Sequence, residues 1–159
     1  MLQETQQYRL YKEWIGAETR SLFFAEKAHR SLDLQRWVTL ASLALSSGAV
    51  VTIAVKVDPI VPALFSVVTA LLSAYSIVAQ NQKKAVDAAD LHSKWNKLSM
   101  AYARLWERWY TDEAVEELNG LEEMSAEISK TSSSFPNDEK AMKRWEIRVL
   151  QEHGHEIEA

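Results

Sequence analysis

Two apolar stretches, Trp37–Val55 and Ile60–Ala79, stand only four residues apart, across Lys56-Val57-Asp58-Pro59. Neither contains a charged residue, and each approaches the ~20 residues a helix needs to cross about 30 Å of hydrocarbon. A backbone in lipid must satisfy its own polar groups, so both stretches read as helices. So short a linker makes them antiparallel and returns both flanks to one side of the bilayer. Residues 37–79 are therefore expected to form a two-span transmembrane hairpin, with soluble segments on either side.

Orientation follows from the basic residues beside the spans. Arg30 and Arg36 precede the first, Lys83 and Lys84 follow the second, and the loop offers only Lys56 beside Asp58. Basic flanks stay on the cytoplasmic side, so the expectation is a multi-pass protein with both termini cytoplasmic. A cleaved signal peptide is not expected, because the first span begins only at Trp37, after a polar segment of mixed charge. The net charge of −4, with acids gathered late (Asp112, Glu113, Glu116, Glu117, Glu122, Glu123, Glu127), argues against direct nucleic-acid binding. The chain has no cysteine, which removes disulfides, thiolate metal sites and cysteine nucleophiles.

Outside the hairpin the pattern is helical throughout, and no strand is predicted. Residues 1–36 form a cytoplasmic amphipathic arm, with a helix over 3–31. Leu10, Trp14, Ala17, Phe24 and Ala28 follow one seam, and Tyr11, Ile15, Leu22 and Ala25 lie on an adjoining strip. Ser31 or Asp33 is placed to cap the next helix. Beyond the hairpin, residues 80–119 read as a long cytoplasmic helix continuous with the second span. Leu91, Trp95, Leu98, Tyr102, Leu105 and Trp109 form its heptad seam, for a bundle or an oligomer. From the second span to about Leu118 it would extend ~85 Å, stopping at Asn119-Gly120, which tolerates the left-handed conformation. Residues 120–159 hold a short helix (Leu121–Lys130), a Ser-rich loop, and a last helix from Asp138 to about Gln151 capped by Asn137. The fold class is all-α: a membrane hairpin with a cytoplasmic helical bundle.

The second span carries a polar register. Ser66, Thr69, Ser73, Ser76 and Gln80 are spaced three, four, three and four, and Lys83 and Asp87 extend the line. At ~100° per residue they share an arc of about 100°. Ala70 and Ala74 lie beside them, and the first span has its own small series, Ala44, Gly48 and Thr52. Two explanations remain open. Small and hydroxyl residues let helices approach closely and hydrogen-bond across the contact. Alternatively, the second span of several copies turns this stripe toward a shared axis, lining a pore with groups that release their guest. A two-helix chain must self-associate to enclose a lumen, and no intramembrane charge points to a carrier or voltage sensor.

No enzyme is legible. His29 and His92 stand alone on helices, and His153 with His155 lacks a third ligand at helical spacing, so no metal or other cofactor is expected. Glycines at only four positions build no phosphate loop, and the serine run 132–134 has no base beside it in any motif.

The Tyr11-xx-Trp14 start, the Ala25-xx-Ala28-xx-Ser31 run into Arg36-Trp37, the hairpin Trp37–Ala79 and Leu91-xxx-Trp95-xx-Leu98 together make an architectural resemblance, over residues 5–130. They resemble the SLATT family, the SMODS- and SLOG-associating two-transmembrane effectors of prokaryotic conflict systems. The resemblance implies an inner-membrane effector that opens or permeabilises the bilayer in anti-phage defence and abortive infection. Its trigger would be a separately encoded sensor, nucleotide-signal synthase or reverse transcriptase system. It supplies no catalytic residue. The runner-up is a membrane anchor or adaptor that recruits a cytoplasmic partner through its helices, and a phage-type holin is a third.

Overall fold

One helix, α1 (Glu4–Ala54), carries the chain through the amphipathic arm and on into the first apolar stretch. The restart expected at Ser31 or Asp33 does not occur. No proline lies in this segment, and Asp33 is held within the helix by His29 at 3.6 Å and Arg36 at 3.8 Å. Pairs at such spacings support a helix that is already running rather than a cap. In this computed structural model, which describes residues 1–54, 58, 60–136 and 138–154, the remaining helices are α2 (Ile60–Ala79), α3 (Asn81–Glu107), α4 (Ala114–Ser132) and α5 (Glu139–His153). α2 and α3 meet at Gln80. Taken through that joint, Ile60–Glu107 is one run, and the described residues make an all-α protein of four helices.

The long helix expected to reach Leu118 runs on from the second span, through a joint, but stops short at Glu107. Gln80 adopts a φ of 48°, the left-handed region, and is the one non-glycine residue with positive φ among those described. Further on, α3 ends at Glu107. Successive turns follow, in which the N–H of Arg108 donates to Leu105 O, that of Thr111 to Arg108 O and that of Ala114 to Thr111 O. The Thr111 hydroxyl also donates to Arg108 O, at 3.0 Å, the kind of local bond by which threonine competes with helix. Asn119 and Gly120, expected as the stop, lie inside α4 on its exposed face. At the start of α5 the side chain of Asp138 accepts from the Ala141 N–H at 3.1 Å. The cap expected at Asn137 falls outside the described residues.

The chain divides into two compact units, Met1–Glu26 with Ala88–Ala159, and Lys27–Asp87. The first is a bundle of the N-terminal part of α1 with α3, α4 and α5. Leu10, Phe23 and Phe24 of α1 are buried there, as are Leu91, Trp95, Leu98, Tyr102 and Leu105 of α3, Leu118 and Ile128 of α4, and Val149 of α5. α1 and α3 run antiparallel: Ser21 pairs with His92 at 3.0 Å, while the N–H of Leu2 donates to Trp109 O at 2.9 Å. Trp95 Nε1 donates to the Ser132 hydroxyl at 3.1 Å, tying the middle of α3 to the end of α4. Glu26 accepts from Arg144 at 2.5 Å and from Trp145 Nε1 at 2.6 Å, while Glu18 meets His153 at 2.9 Å. α5 is thus fixed along α1 by two carboxylates, one toward each end.

Candidate functional site

α2 has the composition of a helix in lipid. It has no charged residue, and no residue of it is buried. Among the described residues, Ile60–Glu107 is the one helix that is long and apolar enough to cross a membrane, with an 18-residue window of mean hydropathy 2.0 and none of it buried. The first apolar stretch enters the described structure as the C-terminal part of α1. The side chains of residues 49–54, and residues 55–57 and 59 of the loop with Lys56, lie outside the described residues. Asp58 is described, and its side chain accepts from the Ile60 N–H at 3.0 Å as α2 begins.

Within the second unit α1 and α2 pack along one seam each. On α1 the positions that are not exposed include Ser31, Gln35, Val38, Ser42, Leu45 and Gly48, with Asp33 on another side; on α2 they are Val61, Pro62, Phe65, Thr69, Leu72, Ser76 and Ala79. Steps of three and four keep each series on one side of its helix. Gln35 donates to the Ser76 hydroxyl at 3.3 Å, and a Cβ built on Gly48 would stand 3.8 Å from the Phe65 ring. The early residue on α1 meets the late one on α2, so the pair is antiparallel.

This seam divides the hydroxyl stripe. Thr69 and Ser76 turn into the pair, whereas Ser66, Ser73 and Gln80 are exposed. Ser66 donates to Pro62 O at 2.9 Å and Thr69 to Phe65 O at 2.8 Å, so both hydroxyls are spent on their own helix. Ser42 and Ser46 on α1 do the same. Of the residues expected to pack the helices, Gly48 lies on the seam, but Ala44, Ala70 and Ala74 are exposed. The side chain of Thr52 lies outside the described residues. The pair is filled instead by the larger side chains of Val38, Leu45, Phe65 and Leu72.

The outward surface of α2 then falls into two faces. Ile60, Leu64, Val67, Leu71, Tyr75 and Val78 make a bulky one, all exposed. Ala63, Ser66, Ala70, Ser73 and Ala74 make a small one, also exposed, across an arc of about 100° that ends at the bulky, exposed Ile77 in the last turn. The expected aromatic seam is internal to the bundle: Leu91, Trp95, Leu98, Tyr102 and Leu105 are at most 1 % exposed within the chain itself. Trp109 lies past the end of α3 and is half-buried.

Polar groups gather in two places. In the bundle, the hydroxyl of Thr19, one oxygen of Glu122 and Nδ1 of His153 are buried without a hydrogen-bond partner among the described residues, and the Tyr102 hydroxyl is buried beside the Ser125 side chain. Burial, with Glu13 and Glu122 nearby, pushes the Tyr102 phenol well above its ordinary range. In the second unit, Gln35, Ser76, Gln80, Asn81, Gln82, Lys83, Val86 and Asp87 line an open groove where α2 gives way to α3. Asn81 is 5 % exposed and its Nδ2 has no partner among the described residues, an arrangement that costs about 1–3 kcal/mol. The sequence signal here was the carboxamide run Gln80-Asn81-Gln82, which the hydroxyl register overshadowed. No cluster of His, Asp and Glu fit for a metal occurs among the described residues. His153 faces Glu18, and His155 lies outside them.

The chain matches no protein-family model, no curated protein and no solved structure.

Proposed function

We propose that the protein is an oligomeric two-transmembrane effector, without catalytic activity, that permeabilises a prokaryotic inner membrane when a partner triggers it. The observation that carries this reading is α2, a charge-free helix in whose apolar window no residue is buried. Bulky apolar surface on that scale needs lipid or protein to cover it. Its small face would pack against the same helix of other copies, with Ser66 and Ser73 at the axis. The likeness to SLATT effectors, the cytoplasmic placing of both termini and the separately encoded trigger belong to the same proposal.

The anchor or adaptor reading has its own support. Ser66 and Thr69 give their hydroxyls to their own helix, which suits a span that only holds the bundle at the membrane. Ser73→Leu separates the two. It leaves the α1–α2 seam untouched and fills a lumen with apolar bulk, so cells expressing the triggered protein should keep the chain in the membrane and lose depolarisation. Unchanged depolarisation with full assembly would remove the pore reading. A chain that alkaline carbonate releases from membranes would remove both.

A further inference from the structure

α5 is held in the bundle with little apolar contact. Of its fifteen residues only Ala141 and Val149 are buried, and Ile147 and Leu150 are exposed, whereas α4 buries five residues. An open groove lies between α1 and α5, with Ile15 and Thr19 on one wall and Met142 and Leu150 on the other. What ties α5 to α1 is chiefly polar: Glu26 with Arg144 and Trp145, and Glu18 with His153, whose ring also stands 4.7 Å from that of Trp14. Arg144 is exposed, and water weakens a tie of that kind.

The contact also works against itself. Thr19 Oγ1 and Nδ1 of His153 are both buried there without a hydrogen-bond partner among the described residues. A buried polar atom left unpaired has lost its water and gained nothing in exchange. Lifting α5 returns both atoms to water, which offsets part of what the burial of Ala141 and Val149 contributes. α5 is also the last helix of the described residues, joined to α4 through residues 133–138, so it can leave without unwinding another helix. We infer that α5 is an autoinhibitory latch. Docked, it covers the face of α1 that carries Trp14, Ile15 and Thr19; undocked, it bares that face for the assembly that opens the membrane. Segments that move in regulation are drawn from the least stable parts of a fold, and α5 is such a part. The opening belongs to the bundle alone, and its consequence rests on the effector reading.

Hydrogen exchange on the full-length protein in a non-ionic detergent reads the opening. Amides of α5 should exchange about a hundredfold faster than those of α3. Glu26→Gln should speed α5 about tenfold further and leave α3 as it was, while Thr19→Val, which deletes an unpaired hydroxyl, should slow α5 about fivefold. α5 amides as slow as those of α3, or faster in Thr19→Val, overturn the latch. The chain has no cysteine, so Glu18→Cys with His153→Cys can be joined by a short bismaleimide. From vesicles loaded with carboxyfluorescein, the unjoined double variant should release dye faster than the wild type, by about the tenfold seen in exchange, and joining should seal them. Equal release before and after joining overturns the inhibitory role. Ser73→Leu, added to the unjoined variant, keeps this apart from the pore: release that it leaves unchanged, but that joining still stops, removes the pore reading and upholds the latch.

Discussion

Gln35 on α1 donates its side-chain amide to the hydroxyl of Ser76 on α2, at 3.3 Å, inside a contact otherwise made by Val38, Phe65 and Leu72. Such bonds between apolar helices average only about 0.6 kcal/mol, but they fix register, because a shift of one residue leaves both groups unpaired. Ser76→Ala is therefore expected to destabilise the pair by about 0.5–1 kcal/mol, and Ser76→Leu by more, through overpacking. Unfolding in mixed detergent micelles measures both. Ser73→Leu is the control, since it lies off the seam and should leave the midpoint where it was. A larger loss at Ser73 than at Ser76 would mean the seam has been assigned to the wrong side of α2.

Gly120 provides a test of the corrected helix boundary. It lies within α4 on the exposed face, and a Cβ placed there meets nothing within 4 Å. Gly120→Ala should then stabilise the bundle by roughly 0.5–1 kcal/mol, through helix propensity and a less entropic unfolded chain. Were Gly120 instead the left-handed end of a helix, alanine would destabilise by a similar amount. Thermal melting followed by circular dichroism distinguishes the two signs.

Tyr102 makes the bundle sensitive to alkali. Its ordinary pKa is 10.0, and burial, followed by the charges of Glu13 and Glu122, raises it in the folded state. Below pH ~10 the phenol is neutral in folded and unfolded chains alike, and its whole contribution is present. As pH climbs past that value, the unfolded chain sheds the proton and the folded chain holds it, so stability falls. The wild type should lose up to about 1.4 kcal/mol per pH unit more than Tyr102→Phe above pH 10. At neutral pH the variant should lie within about 1 kcal/mol of the wild type, because the deleted hydroxyl gives up no more than its contact with the Ser125 side chain. Denaturant titrations at pH 8 and pH 11 check both halves. An equal alkaline loss in the variant would place the titrating group elsewhere.

What could be read from the sequence, and what could not, follows from how much of each pattern one helix carries. The α3 seam was legible because Leu91, Trp95, Leu98, Tyr102 and Leu105 repeat on a single helix with polar residues between them, and all are buried. α1 was read less well. In a bundle of several helices it is covered on more than one side, so Thr19, Ser21 and Phe23 are buried beside the expected Phe24. A search for one apolar stripe passes over such positions. The hydroxyl register on α2 was real as an arc, but periodicity gives no reference direction. Which edge of that arc turns toward α1 is set by Phe65 and Leu72, whose bulk draws Thr69 and Ser76 inward with them. Asn119-Gly120 misled because a left-handed conformation is something those residues permit and nothing forces. The turn that ends α3 forms earlier, where Thr111 bonds back to Arg108 O.

Gln80 also bears on how relatives of this chain would have to vary. Its φ of 48° is open to glycine, costs asparagine and aspartate little, and is a severe strain for valine, isoleucine and threonine. Apolar residues along α2 can exchange for one another without trace, so the span itself keeps little memory of descent. Position 80 cannot drift so freely. A chain that has lost every recognisable word of this sequence, yet shares its jointed run, should still exclude branched residues at that one place, and it is there that kinship would be sought.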